Sequence, residues 1–72
     1  MIYIRTVDTD SDDYSTGVRA ANLMLDTGMD ASEVLELAET AMDNAHHRED
    51  ARGYNRMAGV SHTLREFLET RD

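Results

Sequence analysis

The chain has 72 residues, no cysteine, and fifteen Asp and Glu against seven Arg, for a formal net charge of −8 at pH 7. A domain of this size has a small core worth roughly a few kcal/mol of net stability, and without cysteine neither a disulfide nor a cysteine-ligated zinc site can add to it. No apolar run approaches the roughly 18 residues of a membrane span and no secretory n- and h-region opens the chain, so a soluble, cytoplasmic single domain spanning residues 1–72 is expected.

Residues 1–7 (MIYIRTV) combine Ile, Val, Tyr and Thr without a breaker and predict a β-strand. A lone strand leaves its N–H and C=O groups unpaired, and pairing with a second copy across a homodimer is the simplest remedy. A first helix is predicted over about residues 11–27, with Tyr14, Val18, Ala21 and Leu25 as a narrow apolar stripe. Leu23 falls off that stripe and is a candidate contact residue. Gly17 weakens the helix by about 1 kcal/mol relative to Ala, and Gly28 supplies its stop.

A second helix is predicted over about residues 31–46. Asp30 and Glu33 have capping-box spacing, and Met29 is placed to staple onto Val34. Val34, Leu37, Ala38, Ala41, Met42 and Ala45 share its apolar face, opposite Glu33, Glu36, Glu39, Thr40 and Asp43. A third helix is predicted over about residues 49–70, with a stripe of Ala51, Tyr54, Ala58, Ser61, Leu64 and Leu68, widened by Met57 and edged by Val60 and Phe67. Gly53 and Gly59 weaken it and also permit close approach by a neighbour. The link from Asn44 to Asp50 contains neither Gly nor Pro, so these two helices are also compatible with one continuous helix. The fold class is therefore mainly α: one short N-terminal strand, then three amphipathic helices, with the strand paired across a homodimer.

Charge is unevenly distributed. Residues 8–43 carry ten acids and one cation, Arg19, whereas residues 44–72 carry five acids, five arginines and all three histidines. The larger segment repels phosphate backbones, which disfavours general nucleic-acid binding. Within it, Asp8 to Asp13 (DTDSDD) suggests a calcium loop, since Asp8, Asp10 and Asp12 occupy loop positions 1, 3 and 5. Position 6 is Asp13 instead of Gly, however, and position 12 is Arg19 where a bidentate acid belongs. The better reading is a helix start, with Ser11 or Asp12 as the cap and the remaining acids set against the positive end of the helix dipole.

His46 and His47 beside Asp43 and Asp50 offer few metal ligands and no HExxH arrangement, so no metal or other cofactor is expected. Arg48, Arg52 and Arg56 step by four along one face. They are suited either to ion pairs with the Glu33, Glu36, Glu39 and Asp43 face or to gripping a carboxylate or phosphate of a partner. There is no cysteine nucleophile and no glycine-rich phosphate loop, and three short helices leave little room for a deep pocket. An enzyme is not expected.

The order strand, helix, Gly turn and a second helix opening GMDASEVLELAETA resembles the ribbon-helix-helix regulators, including antitoxins of that fold. The likeness covers residues 2–45 and is carried by Gly28, by Ser32-Glu33-Val34, and by Ala38 and Ala41. It implies a dimer whose paired strands enter the DNA major groove, with Tyr3 and Arg5, or Ile4 and Thr6, as base readers, and phosphate held by amides at the start of the second helix. The charge layout instead favours a small acidic protein-binding module, an accessory regulator or inhibitor of the kind phages and mobile elements encode. Asp10, Asp13, Leu23, Glu36, Glu39 and Asp43 would form its contact surface to a protein with a basic groove.

Overall fold

A computed structural model describes residues 7–70, and among these the fold is mainly α: α1 (Asp12–Asp26), α2 (Ala31–His47) and α3 (Ala51–Glu69). The expected strand over residues 1–7 lies outside the described residues except for Val7. No described helix is long and apolar enough to cross a membrane.

Each helix begins where a short polar side chain can satisfy its free amides. Ser11 Oγ accepts from the Tyr14 N–H at 3.1 Å. The Asp30 carboxylate accepts from the N–H groups of Ser32 and Glu33, and the Asp50 carboxylate accepts from that of Gly53. Asp12 and Asp13 fill the first turn of α1, where negative charge meets the positive end of the dipole.

Two helices end in the same motif. After α1 the Gly28 N–H donates to the Leu25 carbonyl and the Met29 N–H to that of Met24; after α2 the Glu49 N–H donates to His46 and the Asp50 N–H to Ala45. These are paired Schellman bonds, and both place the residue after the cap in left-handed conformation. At the first turn that residue is Gly28, φ 84°; at the second it is Glu49, φ 57°. The second turn separates α2 from α3 without glycine, at a conformational cost of about 1 kcal/mol, and excludes the single continuous helix.

α3 is the central element: α1 and α2 each pack along it, without extensive contact between themselves. α1 runs parallel to α3, with Asp13 beside Arg52 and Arg56 and Leu25 near Phe67 and Leu68 at the far end. α2 runs antiparallel, from Ala31 near Phe67 and Leu68, past Glu39 against Arg65, to His46 beside Tyr54. The core between them holds Ala21, Ala31, Ala38, Val60 and Leu64, with Leu25, Val34, Leu35, Met57, Phe67 and Leu68 packed around it.

The two packings differ in kind. At the α1–α3 crossing, a Cβ on Gly17 would fall 1.9 Å from the Arg56 carbonyl oxygen, and one on Gly59 would fall 2.3 Å from that of Tyr14. Backbone touches backbone there, so Gly17, expected only to weaken its helix, is a contact residue. Gly59 is the close-approach glycine that its position in α3 allows. Gly53 instead sits over its own cap, Asp50. Against α2, contact is through side chains, with Ala31, Ala38 and Ala45 forming the buried line at a spacing of seven.

Because α2 buries that alanine line, its apolar face is centred away from Leu37. Leu37, expected in the core, is 65% exposed, and Leu35 packs against the core instead. Val60, expected at an edge, is 2% exposed and central.

Candidate protein-binding surface

The acidic start of α1 is built largely from local bonds. The Asp8 carboxylate accepts from the Asp10 N–H at 3.0 Å, the Ser11 hydroxyl donates to the Asp8 carbonyl, and the Asp8 N–H donates to Asn55 Oδ1 at 2.9 Å. This turn caps a helix and ties it to α3. Among the described residues no group of three or more His, Asp or Glu is placed to hold a metal ion.

Asp13 lies deeper than a surface residue. Its side chain is 18% exposed, with one oxygen accepting from Arg52 Nε and the other from an Arg56 terminal nitrogen, each at 3.2 Å. Of the two uses open to the arginine strip, ion pairing with the second helix's acids or gripping a partner, Arg52 and Arg56 show neither here: both pair with Asp13 of α1. The cause is the position of Arg52 and Arg56 on the flank of α3 that meets the start of α1. Arg48 caps α2 and is exposed.

The remaining acidic candidates separate into two groups. Glu39 pairs with Arg65 of α3, and Asp43 lies 3.7 Å from His47, whose Nδ1–H donates to the Asp43 backbone carbonyl. Asp10 and Glu36 are exposed. Leu23 is 66% exposed, as its position off the stripe suggests, and Leu37 and Met29 are exposed with it. Tyr3 and Arg5, the alternative DNA readers, lie outside the described residues, as do Ile4 and Thr6.

One feature escapes sequence reading. On the side of α3 away from Asp13, Glu39, Asp43, His46, Tyr54, His62 and Arg65 line an open cavity of about 550 Å³ between α2 and α3. His62 Nδ1 hydrogen-bonds the Tyr14 hydroxyl at 3.0 Å, which joins α1 to that wall. The lining residues come from three separated stretches, and no local motif links them.

Comparison with protein-family models, curated proteins and solved structures finds no match to this chain.

Proposed function

We propose that this protein is a small acidic protein-binding module that acts as an accessory regulator or inhibitor and performs no catalysis. The observation that carries this reading is the exposed face of α2. Between Arg19 and Arg48 the chain has no cation, while Glu33, Glu36 and Leu37 are exposed there side by side. A large apolar side chain set among carboxylates suits a partner that presents both cations and apolar surface.

Affinity capture with the full chain from extracts of the organism that encodes it tests the reading. A protein partner should be retained, and it should be lost when Glu36→Lys and Asp43→Lys are combined.

The ribbon-helix-helix reading draws support from the order helix, left-handed Gly28 turn, helix, and it proposes in addition a homodimer paired through residues 1–7. It predicts duplex DNA binding at low salt that weakens as salt rises and disappears in Arg5→Ala. That result would displace the protein-binding reading. A monomer in light scattering would remove the strand-paired dimer.

A further inference from the structure

We infer that the groove between α1 and α2, on the side of α3 that carries Arg56 and Met57, is a docking site for a basic amphipathic helix of another protein. The inference rests on the protein-binding reading above and names the surface and the chemistry of its partner.

Arg56 locates the groove. From one side it holds Asp13 of α1, and from the other it lines, with Met57, a cavity of about 210 Å³ whose α2 wall is Ala41, Asn44 and Ala45. Residues three, four or seven apart share a helix flank. The flank of α1 that carries Asp13 therefore continues through Ala20, Leu23 and Met24, and the flank of α2 that carries Ala41 and Asn44 includes Val34 and Leu37. This spacing sets both flanks along one surface above Val60, which is itself covered, so the groove is shallow. Ala20, Met24, Val34, Ala41 and Met57 are only half-buried, and Leu23 and Leu37, both about two-thirds exposed, form opposite rims.

The occupant follows from shape and charge. α1 and α2 both pack on α3 but not extensively on each other, so a helix laid between them would complete a four-helix bundle and cover both leucines. Around the rims the exposed acids are Asp26, Asp30 and Glu33, with Glu36 beyond, and no cation occurs between residues 20 and 47. A second copy of this acidic chain is electrostatically opposed there, whereas lysine- or arginine-bearing flanks are favoured. Arg48, Arg52 and Arg56 occupy the other end, so the partner's cations belong at the Gly28 end of the groove.

The test uses the full chain and a labelled helical peptide with leucines spaced by three and four and lysines grouped in one half. Fluorescence anisotropy should show binding that weakens with salt and is lost when the sequence is scrambled or the lysines become Glu. Leu23→Ser and Leu37→Ser should each weaken it by about tenfold. Both sites are exposed, so unchanged circular dichroism is expected for each variant. Amide chemical shifts should move at Ala20, Met24, Ala41 and Met57 and stay fixed at Ser61 and His62. Equal binding of the scrambled peptide, absence of binding, or shifts confined to Glu36, Thr40 and Asp43 would overturn the groove. Those results leave the protein-binding reading to be judged by its own capture experiment. A dimer in sedimentation that Leu37→Ser converts to monomer would also overturn the inference, by making a second copy the occupant.

Discussion

α1 and α2 pack against opposite flanks of the same helix by different means. α1 meets α3 at Gly17 and Gly59 with no side chain interposed, and Asp13 fastens the crossing to Arg52 and Arg56. α2 meets α3 through alanines, with an exposed Arg65–Glu39 pair and open cavities on both sides. The first interface has almost no freedom to accommodate added volume. The second has space along its edges, and its side chains can adjust. A chain of this size, with few large buried residues, obtains rigidity from closeness of backbones where bulk is lacking.

Substitutions that separate the two interfaces sharpen this contrast. The largest effect is expected for Gly17→Ala or Gly59→Ala. Each inserts a methyl group into backbone, and despite better helix propensity each should cost about 2–3 kcal/mol, lowering Tm by about 10 °C or more in a thermal melt. A melt unchanged by either substitution would break the comparison, because the two packings would then be equally tolerant.

Asp13→Asn comes next. It removes the acceptor charge from two arginines at a mostly covered site, and urea denaturation should show a loss of about 1–2 kcal/mol. At the α2–α3 corner the sign reverses: Glu49→Gly relieves the left-handed conformation and should gain about 0.5–1 kcal/mol, whereas Gly28→Ala at the matching turn should lose about 1 kcal/mol. The smallest effect belongs to Arg65→Ala. Its pair with Glu39 is about half-exposed on each side, and a loss under about 0.5 kcal/mol that fades with added salt is expected.

Local chemistry was readable from local sequence. Ser11 and Asp30 cap where short polar side chains precede apolar periodicity, and Gly28 turns where a left-handed residue is needed. Glu49 was not readable, because its turn is imposed by α2 and α3 packing on each other and not by any preference of glutamate. Gly17 shows the same limit. In its own helix it is a defect, and only the approach of α3 turns it into a contact. Leu37 was misplaced because a helical wheel counts apolar residues, while the buried line of α2 follows the small ones that permit approach.

For the candidate surface, the exposure of Leu23 and Glu36 follows from their places off the apolar stripes, whereas Asp10 is exposed in the turn that precedes α1. The pairing of Asp13 with Arg52 and Arg56 spans about forty residues. With fifteen acids and seven arginines available, composition leaves that choice open. The cavity beside His46, Tyr54 and His62 was equally hidden, since it exists only once α2 and α3 lie antiparallel.

Asp50 has two assignments at once. Its N–H closes the end of α2 on the Ala45 carbonyl, and its carboxylate opens α3 on the Gly53 N–H. A single residue is therefore the corner post of two helices, with no slack chain between them to act as a hinge. With the other side held by the close glycine crossing, this geometry predicts three helices that behave as one frame, on which a partner would spend little entropy ordering this protein. Cutting one of the Asp50 bonds, as Asp50→Ala does, should loosen the frame before it unfolds it, as faster hydrogen exchange at the α2–α3 corner.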